Sequence, residues 1–166
     1  MRCLLDKVTA RHIMEGMLKL VEERSVTVAE SLALDFYRRT NFNNITLFIL
    51  PQTYNLLNRL NHLSRYAVII RHFLAATQVP YPARYFKRWT RRLKEYGFTK
   101  EDAEVLALAT FGTTSNGDIL GMHILATSDQ PMINQWRTCH RDIQKRLLHM
   151  QQNLKAPYCH VIFTHC

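Results

Sequence analysis

Glycine is scarce, with five residues in 166, and no Gly-rich loop follows either of the first two apolar runs. That absence weighs against a nucleotide-binding Rossmann site, where phosphates need close backbone approach. The four cysteines, Cys3, Cys139, Cys159 and Cys166, form no C-x-x-C pair, so neither a zinc ribbon nor a dithiol redox motif is indicated. Cys159-His160 and His165-Cys166 contain soft-ligand types, yet adjacent strand residues point to opposite faces, so no shared metal is expected there. No apolar run approaches the ~20 residues that span a bilayer. Asp6 and Lys7 interrupt the start of the chain, where a secretory apolar region would lie. The expectation is a cytoplasmic protein with no membrane partner. Internal repeats and low-complexity tracts are also lacking. Acids are outnumbered, 13 Asp and Glu against 22 Lys and Arg, which leaves a net charge of +9. Such an excess favours a polyanionic partner, nucleic acid foremost.

What is present reads as one α/β domain. The apolar fraction of 47% and the length suffice for a proper core. Arg2-Cys3-Leu4-Leu5 is an apolar run placed for a central strand and ends in Asp6. A helix is predicted from about Val8, with Ile13, Met14, Met17, Leu18 and Val21 on its buried face. Thr27-Val28-Ala29-Glu30 is a capping box that opens a second helix to about Arg39. Ile45–Leu50 is the next strand, and Pro51 starts a helix that runs into a further segment near Ser64 to Thr77. Val79-Pro80-Tyr81-Pro82 punctuates the chain as a loop. A helix over Ala83–Tyr96 follows, then one capped by Thr99 whose run AEVLALATF is apolar on most sides. HILAT is a short strand, Pro131 sits in the first turn of a helix to about Leu154, and CHVIFT is the last strand. These four predicted strands and their helices imply a three-layer α/β/α domain around a mainly parallel sheet of four to five strands.

Asp6 and Asp129 are each the first acid after a predicted strand, and Asp102 lies in the first turn of a helix that feeds the sheet. In a parallel sheet all carboxyl ends face one way, where ligands of open α/β sheets bind. Asp6 and Asp129 are therefore expected in one crevice, with Asp102 reaching it from the side. Clustered carboxylates suit a hard divalent ion, which can activate water and clamp a phosphodiester. Each acid also has a plain structural role available: Asp6 and Asp129 as N-caps, Asp102 as a partner of the helix dipole. Glu101, Glu104 and Asp118 are expected at solvent or on the loop.

MRCLLD, FTKEDAEVLALA and ILATSD, in that order, carry a resemblance to the PIN-domain family of metal-dependent ribonucleases. They are similar to the family's opening strand with its acid, its helix beginning Asp-Ala and its strand ending Thr-x-Asp. The resemblance implies a PIN-like, Rossmann-like fold and an RNA-hydrolysing site in which Asp6, Asp102 and Asp129 hold Mg²⁺ or Mn²⁺. Two positions depart from the pattern. Asn55 stands where the family usually has a Glu ligand, and Lys7 where a small hydroxyl residue is common. An Asn oxygen ligates without charge, and a Lys7 ammonium beside the carboxylate would partly replace a metal ion. Thr127 or Ser128 could supply a hydroxyl. The resemblance leaves room for an antitoxin-type protein partner and a homodimer.

The helix ARYFKRWTRRLKEY places Arg84, Lys87, Arg88, Arg91, Arg92 and Lys94 on one arc at about 100° per residue. Tyr85, Phe86, Trp89, Leu93 and Tyr96 fall on the other, where they read as core. The basic arc suits a phosphate backbone or an acidic protein. Two readings of different class follow: a PIN-type endoribonuclease, the toxin kind included, and a catalytically degenerate PIN-fold module that binds RNA or protein.

Overall fold

A computed structural model describes residues 1–62, 66–82, 84–154 and 162–164. The element order is β1 (Arg2–Leu5), α1 (Lys7–Val21), α2 (Val28–Phe42), β2 (Thr46–Ile49), α3 (Pro51–Leu60), α4 (Ala67–Ala75), β3 (Thr77–Gln78), α5 (Phe86–Glu95), α6 (Lys100–Phe111), β4 (Ile124–Ala126), α7 (Gln130–Leu154) and β5 (Ile162–Thr164). The strands lie in the order β3-β2-β1-β4-β5, and every pair is parallel. Cys159, His160, His165 and Cys166, like the expected helix starts at Ser64 and Ala83 and the stop at Ala156-Pro157, lie outside the described residues.

The side-chain period of two divides the strands between two cores. Leu4, Phe48 and Leu125 pack with Trp89, Leu106, Phe111, Trp136 and Ile143 of α5, α6 and α7. Cys3, Leu5, Leu47, Ile49, Ile124 and Ala126 pack with Ile13, Tyr37, Ile70 and Phe73 of α1, α2 and α4. The domain is therefore a three-layer α/β/α sandwich whose parallel sheet is covered on both faces, as such sheets require. β1 sits at the centre, bonded to β2 on one side and β4 on the other.

Three expectations need adjustment. The fifth strand, β3, has only two residues, paired as Leu47↔Thr77 and Phe48↔Gln78. Thr77 Oγ1 donates to Phe73 O at 3.1 Å, so the strand grows directly from the end of α4 and hides in its helical pattern. The buried face of α1 is Thr9, Ala10, Ile13, Met14 and Gly16, while Val21 at its end is exposed. α5 starts at Phe86, after a turn at Arg84 and Tyr85, and further upstream backbone bonds pair Tyr81 with Thr113. α6 is buried from Val105 to Phe111, in keeping with its all-round apolar sequence. Among the described residues no helix is long and apolar enough to cross a membrane.

Candidate functional site

β1 and β4 are neighbours, yet the helices that follow them leave in opposite directions. α1 packs in the layer that covers Cys3 and Leu5, and α7 in the layer that covers Leu4 and Leu125. The chain thus reverses its winding between these two strands, and the carboxyl ends at such a reversal are where open α/β sheets generally bind ligands. Asp6 stands directly after β1. Thr127, Ser128 and Asp129 stand directly after β4. The expected meeting of Asp6 with Asp129 occurs at this switch point.

Their geometry is that of two helix caps linked by a threonine. The Asp6 N–H donates to Ala126 O at 3.0 Å, which extends the β1–β4 ladder by one bond. Asp6 Oδ1 accepts from the Thr9 N–H at 2.6 Å and so caps α1. Asp6 Oδ2 accepts from the Thr127 hydroxyl. Thr127 Oγ1 accepts in turn from the Asp129 N–H at 3.1 Å, and Asp129 Oδ1 accepts from the Met132 N–H at 3.1 Å in the first turn of α7. Thr127 is fully buried and Asp6 is 6% exposed, while Ser128 and Asp129 are half-buried. Burial pushes the Asp6 carboxyl above its ordinary value. The hydrogen bonds from Thr127 and Thr9 pull it down, and the Asp129 charge adds to the rise.

The other members of the expected ligand set stand on α6 and α3. Asp102 is the third residue of α6, and its carboxylate accepts from the Thr99 hydroxyl at 2.7 Å while its N–H donates to that hydroxyl at 3.2 Å. Thr99 and Asp102 thus close the first turn of α6 on themselves. Asn55 lines a groove of about 590 Å³ with Thr77 and Gln78 of β3. β2 separates that strand from β1. Lys7 Nζ lies 3.6 Å from Glu101 Oε1, both side chains largely exposed. Its charge is directed at α6, on the rim of a cavity of about 760 Å³ that Thr53 and Glu104 also line. Among the described residues no three His, Cys, Asp or Glu side chains form a metal-holding group. Both oxygens of Asp6 are already engaged by protein donors, and burial favours its neutral form. The acids to which the PIN resemblance gives a Mg²⁺ or Mn²⁺ ion are each hydrogen-bonded within the first turn of a helix.

α5 presents a strongly two-sided surface. Trp89, Thr90 and Leu93 are buried against the sheet and α6, while Lys87, Arg88, Arg91 and Lys94 are exposed. Arg84 lies in the turn before the helix, its guanidinium 6.0 Å from the centre of the Tyr85 ring. Arg92 is half-buried and pairs with Glu95 at 2.8 Å. Among the described residues none of Lys87, Arg88 and Arg91 pairs with a carboxylate. Tyr85 and Tyr96 are only half-buried, at the edge of the core and not within it. Beside them, α5 and the second half of α7 enclose a groove of about 720 Å³ to which Lys145, Arg146 and His149 contribute. Those three residues share one face of α7 through the spacings i, i+1 and i+4. That spacing is readable in the sequence, but its juxtaposition with α5 is not. No family model, curated protein or solved structure matches the chain.

Proposed function

We propose that this chain is a PIN-like domain that binds RNA through the basic face of α5 and does not hydrolyse it. The observation that carries this reading is the row Lys87, Arg88 and Arg91, exposed, unpaired with any carboxylate among the described residues and backed by the buried Trp89 and Leu93. A rigid row of cations on a packed helix suits phosphates at successive positions along a strand. The net charge of +9 adds long-range attraction for a polyanion. The acid edge is assigned a structural role, because Asp6, Thr127 and Asp129 satisfy the first turns of α1 and α7.

One observation favours a second reading, a Mg²⁺- or Mn²⁺-dependent endoribonuclease. Asp6 and Asp129 meet at the switch point, where such chemistry would be placed. An assay of labelled RNA with and without divalent ion separates the two. The binding reading expects no ion-dependent cleavage by the wild type. Ion-dependent cleavage that disappears in Asp129→Asn would replace it by the hydrolytic one.

Binding itself is tested by anisotropy titrations of labelled RNA over a salt series. Reversing Lys87 and Arg91 together, Lys87→Glu with Arg91→Glu, is expected to weaken affinity. The slope of log K against log salt should flatten by about 0.7 for each phosphate that is no longer neutralised. An unchanged affinity and slope would rule out α5 as the RNA track and leave its charges to an acidic protein partner.

A further inference from the structure

The groove between α5 and α7 has cations on both walls and tyrosines in its lining. Arg88 stands on the α5 wall and Arg146 on the α7 wall, and neither pairs with a carboxylate among the described residues. The remaining charges are partly spoken for, Arg92 by Glu95 at 2.8 Å and Lys145 by Asp142 at 4.0 Å. Tyr85 and Tyr96 line the same groove and are half-buried, packed against the edge of the core. Trp89 also lines the groove. It is 1% exposed, and its indole N–H meets no acceptor among the described residues. A buried donor without an acceptor is uncommon in a finished core. It marks this wall as one where a ligand would add to the packing.

Cations alone would suit any phosphate, duplex or single strand. The tyrosines narrow the choice. A duplex turns its bases inward and stacks them on one another, so it offers phosphates but no free base faces. An unpaired strand offers both in alternation, and a charged groove interleaved with aromatic rings is how such strands are held. The volume of about 720 Å³ lies within the range of small-ligand sites, which fits a short run of nucleotides.

We propose that the α5–α7 groove binds an unpaired segment of RNA, with phosphate between Arg88 and Arg146 and a base against Tyr85 or Tyr96. The proposal rests on the RNA-binding reading and adds to it the strand state of the ligand and a second wall. α7 takes part through Arg146, and the outward row of α5 then serves as the approach to the groove.

The test compares a short labelled oligouridylate with a blunt RNA duplex of equal length. Titrations use wild type, Arg146→Glu and Tyr96→Leu, with thermal melts to establish that each variant is folded. Arg146 is exposed, and Leu keeps the apolar packing of Tyr96 while removing its ring. The wild type is expected to prefer the single strand. Tyr96→Leu should weaken oligouridylate binding roughly five- to 150-fold, the usual worth of one stacked base, with a much smaller effect on the duplex. Arg146→Glu should also erase most of the preference. Equal affinity for both RNAs, untouched by Arg146→Glu but reduced by Lys87→Glu with Arg91→Glu, overturns the groove and leaves the RNA reading standing. Absence of binding to either RNA at low salt overturns both. Tighter binding of a polyglutamate peptide than of oligouridylate overturns both as well and assigns the basic surface to an acidic protein.

Discussion

Asp6 is pulled in two directions by its surroundings. Two donors, the Thr9 N–H and the Thr127 hydroxyl, favour the carboxylate, while burial and the neighbouring Asp129 disfavour it, and the net effect is upward. A carboxyl whose value is raised in the folded state contributes stability that is fully present below its unfolded value. That contribution is lost as pH rises through the folded value. Asp6→Asn should abolish this loss and keep the cap, since an amide oxygen can accept from the Thr9 N–H, while the bond to Thr127 reverses, with the amide N–H donating to Thr127 Oγ1. The variant should therefore gain on the wild type in urea denaturation as pH is raised from below 3.8 to neutrality. Asp6→Ala, in contrast, should cost about 0.5–2 kcal/mol, the usual worth of an N-cap. A wild type that gains on Asp6→Asn toward neutrality would show that a charge there is required, which points back to a bound cation. Gly112 makes a steric demand at the same scale. A Cβ built there would overlap the Leu108 carbonyl oxygen and lie 2.9 Å from Pro80 Cβ. Gly112→Ala should destabilise the fold by roughly 1–3 kcal/mol, as overpacking generally does, read as a lower denaturation midpoint with unchanged slope.

Among the elements, α1 and α2 pack through apolar residues and share a polar junction at Glu30. Glu30 Oε1 accepts from Lys19 Nζ at 2.6 Å across the two helices, and Glu30 Oε2 accepts from the Thr27 N–H at 2.7 Å within the capping box. The Lys19 bond, followed by the Thr27 bond, holds the Glu30 carboxyl well below its ordinary 4.5, at about 2. A depressed acid contributes stability that is present above the unfolded value and lost as pH falls through the folded one. The wild type should lose this contribution between about pH 4.5 and 2. Glu30→Gln keeps a cap acceptor without the charge, so its melting temperature should fall less steeply over that window, and equal slopes would show the pair to be idle. The box at Thr27 was legible in the sequence because all its parts lie within four residues. Elements whose character depends on distant partners were not. β3 takes its identity from its pairing with Leu47 and Phe48 of β2, so the groove that Asn55 lines could not be foreseen. Thr99-x-x-Asp102 supports both a cap and a ligand role on paper, and the fold expresses the cap. Arg146 and His149 line a groove only once α7 is laid beside α5.

At the scale of the whole molecule, the reversal of winding between β1 and β4 and the charge surplus follow from different parts of the sequence. Asp6 and Asp129 were traceable because parallel strands share one carboxyl edge. The surplus of +9 is a property of the surface, and it acts on the free protein and on an RNA complex with opposite sign. In the free protein like charges repel, so added salt should raise the melting temperature slightly as the Debye length shrinks toward about 8 Å. In the complex, salt competes with the basic row and the α5–α7 groove for phosphates and lowers affinity. A ligand at a hundred times its dissociation constant stabilises the folded state by about 2.7 kcal/mol. For a chain of this size each kcal/mol moves the melting temperature by roughly 2–4 °C. Oligouridylate at low salt should therefore raise the melting temperature by roughly 5–11 °C. That increment should shrink toward zero at high salt while the melting temperature of the free protein holds or climbs. An increment that persists undiminished at high salt would mean that base stacking in the groove, on Tyr85 and Tyr96, and not the phosphate contacts, dominates binding.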